Sequence, residues 1–216
     1  DDPKRQQQEK SGGLTADNTS AENNTTIFAI SESPLDENII WAGTDDGNLQ
    51  VTTDGGKTWT LVNANIPGVP AFAFVTGIET DNFDKGAAYV TFDAHRNGDM
   101  KPYVFYTNDF GKTWKSLVNE SVKGYCHVIK QDLVNKNLLF LGTEFGLFAS
   151  IDKGVTWFAV NSNIPQVGVF DMVIHPRDKD LILATHGRGI IIIDDITILR
   201  NFTLDVLDKD VAFLDR

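Results

Sequence analysis

A single cysteine, Cys126, among 216 residues excludes an internal disulfide framework. Its place in an apolar run reads as a buried, inert thiol rather than a nucleophile. Positive charge is also scarce: 19 Lys and Arg stand against 30 Asp and Glu, for a net charge of −11. That balance repels phosphate backbones and anionic lipid, so nucleic acid and membrane surfaces are poor partners and a cationic or neutral partner fits better. No apolar run approaches the ~18 residues of a helical membrane span, so no membrane insertion is expected. No 3.6-residue apolar period persists over a useful length, which argues against a helical fold. Ser or Cys nucleophile motifs and phosphate-cradling glycine loops are missing. His95, His127, His175 and His186 show no ligand spacing, so no metal and no cofactor is expected.

What the chain does contain is a repeated turn. Thr52, Asp54, Gly56, Thr58 and Trp59 form the pattern Ser/Thr-x-Asp-x-Gly-x-Thr-Trp, which returns at Thr107, Asp109, Gly111, Thr113, Trp114 and again at Ser150, Asp152, Gly154, Thr156, Trp157. The aspartates lie 55 and 43 residues apart, and 43 more residues lead to Asp195, in a stretch of similar apolar build without tryptophan. In a tight turn between antiparallel strands, a carboxylate and a hydroxyl accept from unpaired N–H groups, glycine permits positive φ, and tryptophan covers the turn. All five residue types are consumed in building the turn, so Asp54, Asp109 and Asp152 read as structural rather than catalytic.

From Ile27 the chain divides into four units, each a series of short β-rich runs with turn signals between them. A unit of about 45 residues carrying four antiparallel strands is what a propeller blade looks like. The expected fold is therefore all-β, with four four-stranded blades over 27–206, at about 27–70, 71–122, 123–166 and 167–206. In the last unit the closing strand is expected within Leu199–Val206. Larger propellers commonly have six to eight blades, so the chain reads as part of a ring whose other blades lie outside it, since exposed sheet edges need covering. Residues 1–26 hold almost nothing that packs in a core and are expected to lie along the surface. Residues 207–216 read as an extension toward a following domain. The chain opens on Asp1 rather than methionine, as a mature or excised piece would.

The runs ESPLDENIIWAGTDDGNLQVTTDGGKTW, KPYVFYTNDFGKTWKS, LLFLGTEFGLFASIDKGVTW and DLILATHGRGIIIIDDI resemble the late blades of large bacterial secreted proteins with Asp-box (BNR) repeats, called sortilin-like or glycosyl-hydrolase-like. The likeness covers nearly the whole chain. It implies a C-terminal-side piece of an exported protein, in the periplasm, on the cell surface or secreted. Asp boxes are also found in sialidases, xyloglucan-cleaving enzymes, sortilin-type receptors and photosystem assembly factors, so the likeness speaks to the propeller more than to an activity. After THGRG the relatives place an aromatic pair where this chain has Ile190 and Ile191.

Chain direction narrows the site. In a four-stranded meander the first and third turns share one face and the second turn lies on the other, and the Asp boxes are third turns. The second turns hold Asp45 and Asp46; Asp93, His95, Arg96 and Asp99; Glu144; and His186 with Arg188. Propeller ligands bind at such loop-built faces, by analogy with other scaffolds. Asp-Asp-Gly-Asn also reads as an ordinary hairpin turn, with calcium or sugar contact as the alternative. The unit with His95 spans 55 residues against 43 in the next, and extra loop length usually serves something. A glycoside hydrolase needs two carboxylates roughly 5 to 10 Å apart, a role open to Asp93 and Glu144 from adjacent blades. Three readings follow: a scaffold binding a protein, peptide or glycan, a xyloglucan-cleaving hydrolase, or a subunit of a larger complex.

Overall fold

The β-branched and aromatic runs between turns fold as strands. The computed structural model describes residues 26–161 and 163–202, preceded by one pair of two-residue strands, β1 (Leu14–Thr15) and β2 (Asn18–Thr19). The rest of the polar extension and residues 207–216 lie outside the described residues.

The first sheet runs β3 (Ile27–Ser33), β4 (Asp36–Thr44), β5 (Leu49–Thr52) and β6 (Thr60–Leu61). The second has β7 (Phe74–Thr80), β8 (Ala88–Ala94), β9 (Asp99–Thr107) and β10 (Lys115–Ser116). The third has β11 (Cys126–Gln131), β12 (Leu139–Thr143), β13 (Gly146–Ser150) and β14 (Phe158–Val160). Each is an antiparallel meander in chain order. The fourth sheet shows three strands among the described residues: β15 (Val169–Ile174), β16 (Leu181–Thr185) and β17 (Ile190–Ile193). Where its closing strand was expected to begin, Thr197–Arg200 winds into one helical turn, α1. Arg200 there grips Asp132 of the third sheet with Nε and Nη2 at 2.8–3.0 Å. That ion pair ties the helical turn to the third sheet. Residues 203–206 lie outside the described set.

Neighbouring sheets pack face to face, and their first strands β3, β7, β11 and β15 lie beside one another as the inner edge. Each hydrophobic cluster is shared by two consecutive sheets. Trp41 and Leu49 pack with Val75 and Phe92, Tyr89 and Leu117 with Ile129 and Phe148, and Phe140 and Leu147 with Met172 and Leu183. This is blade stacking, with apolar area removed from water on both faces of every inner blade. Gly142 lets the blades approach: a Cβ there would lie 2.5 Å from the Val169 carbonyl oxygen and 2.8 Å from Val128 Cγ1.

The two end blades show what an unstacked face looks like. Ile30 is 69% exposed, whereas the equivalent Ile78, Ile129 and Met172 are buried. Ile190 is 72% exposed, whereas its equivalent Leu147 is buried against the fourth sheet. The four blades thus form a partial propeller with an apolar face open at each end.

Candidate functional site: the second-turn face

Backbone hydrogen bonds separate the two faces. Gly55, Phe110 and Lys153, each in an Asp box, donate N–H to Asn38, Gly86 and Asn137, in or beside the first turns of their own sheets. Asp45, Glu144 and His186, in second turns, donate N–H to Thr26, Tyr125 and Gly168, just before the inner strands. Asp boxes and second turns therefore occupy opposite ends of the blades. His175 lies in a first turn, where its Nδ1 accepts from the Asp178 N–H at 3.1 Å.

The Asp boxes are built alike. Asp54, Asp109 and Asp152 each accept from the hydroxyl two residues before and from both the N–H and the hydroxyl of the threonine four residues on, at 2.6–2.9 Å. The Thr58 hydroxyl and N–H hold the Asp54 pKa down to about 2. Burial works to raise those of Asp109 and Asp152, but the same bonds prevail and both are lowered. The tryptophans diverge. Trp157 is buried and gives its indole N–H to the Leu117 carbonyl of the preceding blade at 2.7 Å. Trp59, with no described blade before it, is 41% exposed and gives its N–H to Gly56 within its own turn, as Trp114 does to Gly111.

On the other face, some sequence-predicted residues bond within their own turn or to the start of their own sheet. Asp45 accepts from the Thr26 N–H, and buried Asp46 accepts from the Thr44 hydroxyl and the Asn48 amide. Asp99 accepts from the Lys101 N–H and from the Tyr103 hydroxyl at 2.8 Å. Burial, with Asp99 beside it, pushes the Tyr103 phenol up to about 12. Arg188 is exposed on its turn.

The others converge. Asp93, nearly buried at the end of β8, accepts from the His95 N–H at 2.7 Å and pairs with His95 Nδ1. His95 stacks on Tyr125, with centroids 4.5 Å apart, and Tyr125 meets His127 edge-on at 5.2 Å. His127 stacks on Phe170 at 3.9 Å, and Phe170 meets His186 at 5.3 Å. Glu144 Oε2 lies 3.1 Å from His127 Nε2. One row of rings thus crosses the second, third and fourth blades, with a carboxylate–imidazole pair at two of its members. Beside it, Arg96 lies 5.2 Å over the Phe74 ring, which meets Phe28 of the first blade at 4.5 Å. Burial lowers the His127 pKa against the pull of Glu144. Burial raises that of Tyr125, helped by Glu144 and Asp93. Burial also pushes the Cys126 thiol up to about 12, as expected for an inert cysteine.

Sequence reasoning missed Tyr125, His127 and Phe170 because it looked to turns. They stand at or just before the starts of inner strands, and each inner strand carries a β-bulge there. The pairing skips Phe28, Thr76, His127 and Phe170 in β3, β7, β11 and β15. A bulge re-aims the side chain of its unpaired residue. Among the described residues no cluster of His, Cys, Asp and Glu could hold a metal ion, and no helix is long and apolar enough to cross a membrane.

The family pattern described as BNR/Asp-box repeat matches residues 50–61 and 105–116. A probable oligoxyloglucan-reducing end-specific xyloglucanase of Neosartorya fischeri is 28% identical over 161 residues, covering 68% of this chain and 19% of the relative. The corresponding enzyme of Emericella nidulans is 27% identical over 163 residues, 69% of this chain and 19% of its own length. The chain thus spans about a fifth of the length of these relatives. Among solved structures, the GH74 enzyme of Niastella koreensis superposes with a TM-score of 0.58 at 22% identity, covering 81% of this chain and 24% of that one. YCF48 bound to a D1 peptide gives 0.56 at 18% identity, covering 78% and 50%. With its Asp-box turns and stacked four-stranded meanders, the chain is a run of blades of a BNR-repeat β-propeller.

Proposed function

We propose that these blades belong to an exported protein that holds a protein, peptide or glycan against the second-turn face, with further blades of the parent protein covering the two open apolar faces. The observation that carries this reading is the ring row from His95 to His186, which offers partly exposed π-faces beside polar groups. Such a mixture of ring faces and a few placed polar groups is what ligand sites use for affinity and orientation. The likeness to oligoxyloglucan-reducing end-specific xyloglucanases supports a glycan ligand, and the peptide-bound YCF48 structure supports a peptide.

Binding of the 216-residue chain to panels of xyloglucan oligosaccharides and peptides tests it. Saturable affinity is expected to weaken about tenfold in Phe170→Ala and to survive Asp54→Ala at the opposite face. Affinity lost with Asp54→Ala and indifferent to Phe170→Ala would place the ligand elsewhere.

A hydrolase is the second reading, favoured by the xyloglucanase relatives and by Asp93 and Glu144 flanking Tyr125 from adjacent blades. Here one carboxyl would protonate the leaving oxygen and the other would act as base or nucleophile. Release of reducing sugar from xyloglucan that disappears in Asp93→Asn and Glu144→Gln would establish it. Binding without turnover would leave the scaffold reading alone.

A further inference from the structure

The row of rings carries its own carboxylates, and each is turned on an imidazole. Asp93 Oδ2 meets His95 Nδ1, and Glu144 Oε2 meets His127 Nε2 at 3.1 Å. An ionised carboxylate only accepts, so these two ring nitrogens are the ones that hold protons. In the neutral imidazole the opposite nitrogens, His95 Nε2 and His127 Nδ1, are then acceptors. The Tyr125 hydroxyl is spent in the same way, on Glu144. The central span of the row has therefore used its donors internally, and what it has left for a guest accepts.

One of the two carboxylates stands beside an open ring. Glu144 and Phe170 close over Gly168, where a Cβ would lie 3.2 Å from Glu144 Oε2 and 3.0 Å from Phe170 Cε2. Phe170 is exposed and Glu144 partly so, whereas Asp93 is nearly buried. Two arginines stand at the margins of the row, Arg96 over Phe74 and Arg188 in the turn of His186. Among the described residues both carboxylates pair with imidazoles and with no lysine or arginine. A guest that fits must donate hydrogen bonds, carry positive charge and lie flat against a ring. A guanidinium does all three, being planar and weakly hydrated, with five donors, no acceptor and a preference for aromatic faces. An ammonium donates but presents no plane, and a neutral amide presents a plane without the charge. The net charge of −11 draws such a cation in.

We propose that the middle of the row takes the guanidinium of a peptide arginine, stacked on Phe170 and donating to Glu144. The proposal rests on the reading of the second-turn face as a ligand site and deepens it by naming the group bound. The 216-residue chain is titrated by NMR with Nα-acetyl-arginine amide, with its uncharged citrulline isostere and with Nα-acetyl-lysine amide. The ring C–H signals of His95 and His127 and the Gly168 N–H are followed. Saturable shifts are expected with the arginine compound and at least about tenfold weaker binding of the citrulline compound, with the lysine compound between them. Glu144→Gln, whose amide oxygen can still accept from His127, should weaken arginine binding about tenfold and leave citrulline binding where it was. Phe170→Leu should weaken arginine binding about threefold. Glu120→Gln, at an exposed acid outside the row, should change nothing. Equal binding of the citrulline compound, an absence of shifts with arginine, or indifference to Glu144→Gln would overturn the proposal. The face itself is judged separately by the oligosaccharide and peptide panels. Phe170-dependent binding of an oligosaccharide without any response to arginine would remove the guanidinium and keep the face.

Discussion

Asp54 shows how completely a charged side chain can be used in folding. Its oxygens take hydrogen bonds from the Thr52 and Thr58 hydroxyls and from the Thr58 N–H, although the residue lies at the surface. The ionised form alone can accept them all, so the Asp54 pKa stands at about 2 against the usual 3.8. The sign of the pH effect follows. A carboxylate whose folded pKa is depressed stabilises above the unfolded pKa, and that stability drains away as pH falls from about 4 toward about 2. A carbon-detected NMR titration of the Asp54 carboxyl should give a midpoint near the lower value. A midpoint at the ordinary value would mean that the Thr58 bonds do not persist in solution. The same accounting separates Asp46 and Asp99, held by their own turns, from Asp93 and Glu144, which are paired with imidazoles.

At the scale of the element, the Asp-box turn is also a joint between blades. Trp157 lies against the preceding blade with its N–H on the Leu117 carbonyl, and Trp59 holds the same place with no described blade to meet. Trp157→Ala should therefore cost about 3 to 5 kcal/mol in chemical denaturation. Trp59→Ala should cost less than about 1 kcal/mol in this chain, as a change at a half-open surface position does. Equal costs would contradict the joint. The turn and the strands around it were legible in the sequence because each position has a local chemical requirement. The ring row was not. His95, Glu144 and His186 could be placed on one face from turn parity, but His127 and Phe170 reach it through bulges and Tyr125 stands just before one. A bulge is a mismatch between two strands, and the Tyr-Cys-His run at 125–127 carries no glycine or proline to announce it. The helical turn at Thr197–Arg200 was hidden for a similar reason, since it depends on the distant Asp132.

At the scale of the molecule, every hydrophobic cluster belongs to two blades, and the outer faces of the first and fourth are left open. The isolated chain should consequently self-associate through Ile30 and Ile190. The double variant Ile30→Lys, Ile190→Lys should sediment as a monomer at concentrations where the parent does not. Its unfolding midpoint should match that of the parent extrapolated to low concentration, because neither residue is buried within the monomer. Monomeric behaviour of the parent would show that something else shields these faces. The bulges have a consequence of a different order. Their four residues are Phe28, Thr76, His127 and Phe170, an assortment of chemistries, whereas two positions further on stand Ile30, Ile78, Ile129 and Met172, all aliphatic. The irregularity divides each inner strand into a portion whose unpaired side chain is re-aimed near the second-turn end and a portion that answers to the neighbouring blade. A mutation on one side of that division need not be compensated on the other. Such a scaffold can change what it recognises by single steps while its stacking is inherited intact, so likeness of fold among these propellers and divergence of their ligands are both to be expected.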